Sequence, residues 1–344
     1  MKIAVIGVPS AWGTAEIGVS ETPNRLRRAG LLEWLAAAGL EVEDAGDVEV
    51  PRGRDQHPLE PGSPAGSDEP LPHLSQVCTV CGAVRTAVEE ALAAPSLPFL
   101  VGGECGLAAG VVPALAGEIS PTTVVWLDAH GDLNTPETSP SGLITGMPLA
   151  ILMGKGHPKL LTAGAGSPRP RPENIWLIGG RDMDAGELAT VAALPMHHVD
   201  IQQVRRQGAE ALATRILQLP ADSILPPEAR TSIQQPPPEH PDGAETRRRR
   251  CQIEPPPGRP AGHLYLHIDV DAIDPGEAPG VNYRVAGGLG TDEVADLAGY
   301  LCASGQVAAL TVASANLTRD QGGKTIAALR TLVTSLADAL GTER

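Results

Sequence analysis

Six short apolar runs, each closed by a turn signal, limit the possible folds of this chain more than any other feature. They are IAVIGV (3–8), LPFLVGG (97–103), TTVVWLD (122–128), NIWLIGG (174–180), LYLHIDVD (264–271) and VAALTVA (307–313). Each has the length of a strand and is apolar nearly throughout, so both of its faces must be covered. Between the runs lie Ala/Leu/Glu-rich segments of helical character: Arg25 to Gly39, Val84 to Ala94, Thr291 to Ser304 and Gly323 to Leu340. Strands alternating with helices predict an α/β fold whose mostly parallel sheet is covered on both faces. Ligands gather at the carboxyl ends of the strands in such sheets, and the acidic residues stand there.

Two of the runs end in one pattern. The stretch WLDAHGD places Asp128, His130 and Asp132 at two-residue intervals, and LHIDVDAIDP (266–275) does the same with His267, Asp269 and Asp271. A strand alternates faces with period two, so each trio leaves one side of one strand end. Crowded ligand-type groups are costly to bury unless a cation neutralises them. Either motif alone could be a functionless acidic strand end. Together they are what a binuclear site for hard divalent ions requires, with bridging carboxylates and a terminal imidazole. Two ions ~3.5–4 Å apart can hold a shared hydroxide that is nucleophilic near neutral pH.

A length of 344 residues suits a single large domain, 1–344, with insertions. Only 2% of residues are aromatic, so the core must come from Ala, Val, Leu and Ile within the 42% apolar fraction. A formal net charge of −15 argues against nucleic acid or an anionic membrane as partner. No stretch approaches the ~20 apolar residues of a spanning helix. The start, KIAVIGVPSAWG, is too short for a signal peptide and reads as a buried strand. With an odd five cysteines, this predicts a reducing, cytoplasmic location. Cys78 and Cys81 form a CxxC without a second pair at zinc spacing, and are read as ordinary residues near a helix start. Residues 51–76, rich in Pro, Gly and charge, read as a surface loop. Residues 220–262 contain IQQPPPEHPDGAETRRRRCQIEPPPGRPAG, which cannot form a packed core and predicts a disordered insertion with a solvated RRRR run.

The motifs, in order and spacing, resemble the ureohydrolases, the arginase and agmatinase superfamily. The resemblance runs through IGVP, EIGVSETPNRLRRAGLLEWL, GGECG (102–106), DAHGDLNTPETSPSGLITGMPLA (128–150), IGGRDMDAGE (178–187) and DVDAIDPGEAPGVNYRVAGGLG (269–290). It implies a three-layer α/β/α sandwich and a site for two divalent ions, manganese in the family. Carried across, Asp128 and Asp269 are the bridging carboxylates, Asp132 a terminal ligand of one ion, and His130 and Asp271 ligands of the other. Asp128, His130 and Asp271 form the catalytic group, in which Asp128 relays a proton to the leaving amine. Asn134, Ser141, Asp182 and Asp184 line the substrate pocket. The resemblance also implies a small-molecule substrate and a homo-oligomer, trimer or hexamer.

The chain departs from the family at instructive places. Cys105 stands where the family has a His ligand of the first metal. It is either a softer ligand, favouring zinc or iron, or an inert buried thiol. His267 replaces a small Ser and is either a compensating ligand or a packed core residue; lying roughly 6.6 Å deeper than Asp269, it reads as the latter. Glu104 is longer than the family's Asp and could reach into the site. Thr145 replaces a proton-shuttle His and has no useful acid–base pKa. Leu143 replaces an Asn that grips the substrate's α-carboxylate, which makes arginine an unexpected substrate. Tyr283 stands where the family has a small Thr. Ser314 replaces the Glu that pairs with the guanidinium, so Asp182, Asp184 or Glu277 must stand in, or the substrate is not a guanidine cation. Three readings follow: a C–N hydrolase of an amidine, hydroxyguanidine or modified guanidine; an agmatinase-like or guanidinobutyrase-like urea-releasing enzyme; or a non-catalytic metal-binding relative.

Overall fold

The computed structural model describes residues 1–53, 71–118, 122–163, 169–218 and 263–341. Their strands form one eight-stranded sheet: β1 (Lys2–Gly7), β2 (Glu41–Asp47), β3 (Leu97–Val101), β4 (Thr123–Asp128), β5 (Ile175–Gly179), β6 (His197–Val199), β7 (Leu264–Asp269) and β8 (Val307–Ala313). The order across the sheet is β2-β1-β3-β8-β7-β4-β5-β6, and every pairing is parallel. All six apolar runs became strands. The two strands without an apolar run are the edges. β2, EVEDAGD, is largely solvent-facing, and β6 has three residues. An edge strand covered on one side needs no continuous apolar sequence, which is why neither stands out.

Alternation of side chains along each strand splits the core into two layers. On one face, Val125, Leu127, Leu264, Leu266 and Ile268 pack under helices α1 (Thr22–Ala29), α2 (Leu31–Ala36), α8 (Ile201–Gln207), α9 (Ala209–Leu217), α10 (Thr291–Ala303) and α11 (Lys324–Gly341). On the other, Val124, Trp126, Leu177 and Tyr265 pack under α3 (Leu74–Ala93), α4 (Ala108–Glu118), α5 (Pro148–Leu152) and α6 (Pro158–Ala163). A short helix, α7 (Ala185–Ala193), follows β5. This is the expected three-layer α/β/α sandwich. The expected helix 25–39 is instead two, divided at Gly30, whose φ of 107° ends α1. α3 begins at Leu74, inside the segment expected to be a loop, because Leu71 and Leu74 are buried in the second layer. Residues 54–70 and the expected insertion 220–262 lie outside the described residues. Among the described residues, no helix is long and apolar enough to cross a membrane.

The strand order matters for function. β8 and β7, the last strands in the chain, insert between β3 and β4. That places the end of β7 beside the end of β4, with Trp126 opposite His267 and Leu127 opposite Ile268. The two acidic motifs, 141 positions apart, therefore end side by side at the middle of the sheet.

Gly179 closes this arrangement on the β5 side. Its φ is 105°, and a β-carbon there would fall 2.3 Å from the Asp128 carbonyl oxygen. An L side chain pays at least about 1–2 kcal/mol in that backbone region, and here backbone must also move. Gly179→Ala is expected to lower the thermal midpoint by several degrees and to displace the end of β4. A midpoint within one degree of wild type in a thermal melt would contradict this.

Candidate active site

The two acidic motifs use one local device. Asp128 Oδ1 accepts the backbone N–H of His130 (2.7 Å), and Asp269 Oδ1 accepts that of Asp271 (2.8 Å). Each carboxylate thereby folds the chain back two residues on, a turn that short acidic side chains favour. The turns also cross-brace: Asp271 Oδ1 accepts from Ala129 N at 3.0 Å. One oxygen of each bracing Asp is thus spent on backbone. Of the others, Asp128 Oδ2 accepts from Trp126 Nε1 at 3.0 Å, Asp269 Oδ2 lies 2.9 Å from Cys105 Sγ, and Asp271 Oδ2 lies 3.1 Å from His130 Nδ1.

The remaining residues arrive on loops. Cys105 follows the turn Gly102–Gly103 after β3, where both glycines have positive φ and Ser314 N donates to Gly103 O at 2.9 Å. Asp132 has a left-handed backbone, φ 53°, and its carbonyl accepts from Leu149 N and Ala150 N at the start of α5. Asp tolerates this region better than most residues. Glu187, which the sequence reading passed over, holds the same loop. Its two carboxylate oxygens accept from Leu133 N (3.0 Å) and Asp184 N (2.8 Å). The second bond completes a capping box at the start of α7, legible in DAGE as an acid followed three residues later by Glu.

Asp128, Asp132, Asp269 and Asp271 are all buried, as is Cys105. Burial, then the charge of a neighbouring Asp, raises the pKa of each carboxylate. Asp269 reaches about 8, with Asp271 the neighbour that adds most. Burial, then Asp269, pushes the Cys105 thiol well above its ordinary value. For His130, burial alone would lower the pKa. Hydrogen bonds to Asp128 and Asp271 outweigh it and push the value up to about 12. The protons are short of acceptors' demand. One thiol proton cannot serve both Asp269 Oδ2 at 2.9 Å and Asp128 Oδ2 at 3.8 Å, and Asp132 Oδ2 is buried with no hydrogen-bond partner.

A cation would answer these demands. Cys105, Asp128 and Asp132 each offer a ligand atom within 4.8 Å of the others, and so do Asp128, His130 and Asp271. Asp128 is common to both groups. Asp269 belongs to neither group but touches Cys105 from the end of the neighbouring strand β7. The donor set fits divalent metal: carboxylates predominate, one imidazole is present, and one thiol stands on the Asp132 side.

This cluster floors a cavity of about 230 Å³. Of the residues expected there, Asn134, Ser141, Asp182, Asp184, Tyr283 and Ser314 all line it, as do Glu104, Leu143 and Thr145. Asn134 Nδ2 donates to Asp184 Oδ2 at 2.8 Å, and Tyr283 OH lies 3.3 Å from Thr14 Oγ1. Glu104 spends Oε1 on Gly13 N at 2.6 Å. Glu277 is corrected: it is exposed, is not among the lining residues, and its Oε2 accepts Thr291 N at the start of α10. It therefore does not replace the missing Glu at 314. Thr14, Ser139 and Asn282 also line the cavity. They come from loops with no periodicity, so no pattern in the sequence marks them. His267 is fully buried, as expected of a packed residue.

The comparisons with known proteins agree with this geometry. The profile described as the arginase family matches residues 1–224 and 251–338. The chain is similar to an arginase of Bacillus caldovelox, 33% identical over 287 residues, spanning 83% of this chain and 81% of the relative. It is also similar to an arginase of Staphylococcus aureus strain COL, 32% identical over 290 residues, spanning 83% and 80%. Among solved structures, an arginase of Bacillus subtilis superposes with a TM-score of 0.77 at 28% identity, covering 100% of this chain and 99% of the other.

The raised pKa values set a sign for stability. Asp269 binds its proton more tightly folded (about 8) than an ordinary aspartate does (3.8), so its stabilisation is present below about pH 4 and is lost as pH rises through 8. His130, raised from 6.5 to about 12, loses its contribution in the same direction above 6.5. In chelator, the thermal midpoint is expected to fall as pH rises from about 5 to about 8. Saturating divalent ion is expected to remove the slope. A flat profile in chelator would overturn the electrostatic account.

Proposed function

This chain belongs to the arginase family, and on that basis we propose that it is a hydrolase cleaving a C–N bond in a guanidino, hydroxyguanidino or amidine-type small molecule other than arginine, using two divalent ions. The observation that carries the reading is the pair of ligand groups sharing Asp128 beneath a cavity walled by Leu143, Thr145 and Ser314. Cys105, Asp128, Asp132 and Asp269 would hold one ion, and Asp128, His130, Asp269 and Asp271 the other. When bound, the ions supply Lewis acidity and lower the pKa of water. Manganese is the family's metal; the sulfur of Cys105 favours zinc or iron.

The protein's own groups do the rest. Asp128, buried and held at Oδ1 by His130, would take the proton that the attacking water gives up and pass it to the leaving nitrogen. Seven carboxylates line the cavity, Glu104, Asp132, Asp182, Asp184, Glu187, Asp269 and Asp271, against one imidazole. Two divalent ions offset four of those charges, so a cationic or neutral polar substrate enters more readily than an anion. Asp182 and Asp184 take its far end, with Asn134 orienting Asp184. Leu143 offers no hydrogen bond to an α-carboxylate, and Ser314 offers one hydroxyl where a carboxylate would clasp a guanidinium. Both favour a substrate smaller or less charged than arginine. Tyr283, over His130 with ring centroids 6.0 Å apart, narrows the entrance.

The reading extends to the whole of 1–344 as one domain, with 220–262 as an insertion, to a cytoplasmic location, and to a trimer or hexamer by family resemblance. It is tested by metal-reconstituted enzyme against a panel of guanidino and amidino compounds that includes arginine, agmatine and 4-guanidinobutyrate, with urea and ammonia both quantified. Turnover of an amidine with arginine inert is expected. Arginine as the best substrate would overturn the substrate assignment, and no turnover with any metal would favour a non-catalytic relative. Asp128→Ala and Asp269→Ala are each expected to reduce activity by more than the roughly 100-fold that loss of an outer-sphere group costs. Cys105→His is expected to hold manganese more tightly than wild type; unchanged retention would show that the thiol is not a ligand.

A further inference from the structure

Beneath the site runs a buried chain of polar contacts that the mechanism above does not use. On β8, Thr311 Oγ1 accepts from Tyr265 OH at 2.9 Å. Tyr265 OH in turn lies 2.9 Å from His267 Nδ1, and His267 Nε2 lies 3.2 Å from Cys105 Sγ. All four residues are buried. With the phenol proton directed to Thr311, the phenol oxygen accepts Nδ1–H of His267, and Nε2 faces the sulfur as an acceptor. The ring plane is held by stacking: it lies flat on Trp126, centroids 3.6 Å apart and planes 5° apart. Trp126 itself is tied to the site through Asp128 Oδ2.

A buried imidazole needs partners for both nitrogens, and an inert core could supply them in many ways. Here one partner is the sulfur atom that also touches Asp269 and Ser314, at 2.9 and 3.3 Å. The contacts therefore fix where that sulfur stands relative to the carboxylates. We propose that His267, held by Tyr265, Thr311 and Trp126, is a positioning residue that seats Cys105 Sγ as a metal ligand and so turns the Asp132-side ion site toward thiophilic divalent metals. This rests on the metal-site reading above. Coordination exchanges the thiol proton for the ion, with the proton released; the imidazole then takes its other tautomer, Nδ1 accepting from Tyr265 OH and Nε2–H donating to the thiolate. An outer contact that orients a ligand in this way is worth about 10–100-fold in metal affinity.

The test is cobalt(II) reconstitution of the chelated full-length chain, read by sulfur-to-cobalt charge-transfer absorption in the near ultraviolet and by cobalt and manganese titration. Wild type is expected to show the band and to prefer cobalt to manganese; Cys105→Ser is expected to lose the band. His267→Leu is expected to weaken the band and lower cobalt affinity by about 10–100-fold. His267→Gln, which retains hydrogen bonding, is expected to recover most of both. Tyr265→Phe removes a single oxygen and keeps the fold testable if the leucine variant does not fold; it is expected to weaken cobalt binding in the same direction. Cobalt bound without the band in wild type overturns the proposal and leaves the hydrolase reading standing. No cobalt bound at all overturns the metal site and this inference together. A band and affinity unchanged in folded His267→Leu, or in Tyr265→Phe, would reduce the chain of contacts to packing.

Discussion

Four buried aspartates at the ends of two neighbouring strands are the constraint from which the rest of this structure follows. Like charges in a low-dielectric interior are tolerated only with compensation. Part of it is local, since Asp128 and Asp269 each spend one oxygen on a backbone N–H two residues on. Part comes from further off: Arg181 donates from Nη2 to the carbonyls of Asp271 and Val285, pinning the loop after β7 and bringing a positive charge toward the cluster. What these leave over, including Asp132 Oδ2, asks for a cation. The sheet order serves the same end, because inserting β7 next to β4 is what brings the two acidic motifs together.

The walls of the cavity carry a different message from its floor. The floor is a set of carboxylates around one imidazole. At the wall, Leu143, Thr145 and Ser314 are neutral, and the acidic groups at the mouth belong to another segment, Asp182 and Asp184. Ser314 has a left-handed backbone, φ 62°, which costs a non-glycine residue free energy. Its amide is anchored on Gly103 O, so the turn after β8 and the turn bearing Cys105 hold each other. Floor and wall are thus joined at Ser314, while Leu143 and Thr145 stand on a separate loop.

Much of this was legible in the sequence, for definable reasons. The six strands were, because a strand buried on both faces must be apolar throughout. The residues of the site floor were, but strand period two is not what gathers them: β4 ends at Asp128 and β7 at Asp269, and the turns beyond bring in His130, Asp132 and Asp271. β2 and β6 were not, since an edge strand need not be apolar. The break at Gly30 was missed because a single glycine inside a helical pattern does not by itself announce a stop. Thr14 and Asn282 were out of reach for another reason: they meet the cavity only through the tertiary fold, and Asn282 is linked to Thr14 across 268 positions. Glu277 was misplaced because sequence position shows that a carboxylate is near a site residue, not which way its own loop turns.

Trp126 shows how closely structure and chemistry are joined here. The chain has four tryptophans, and this one donates its indole N–H to the carboxylate shared by both ligand groups while its ring lies against His267. A large hydrophobic side chain of the core layer is therefore also tied to a carboxylate of the buried acidic cluster. Any change in charge at Asp128 acts on the electric field across that indole, so the protein carries, in its own core, an optical gauge of the charge on that carboxylate.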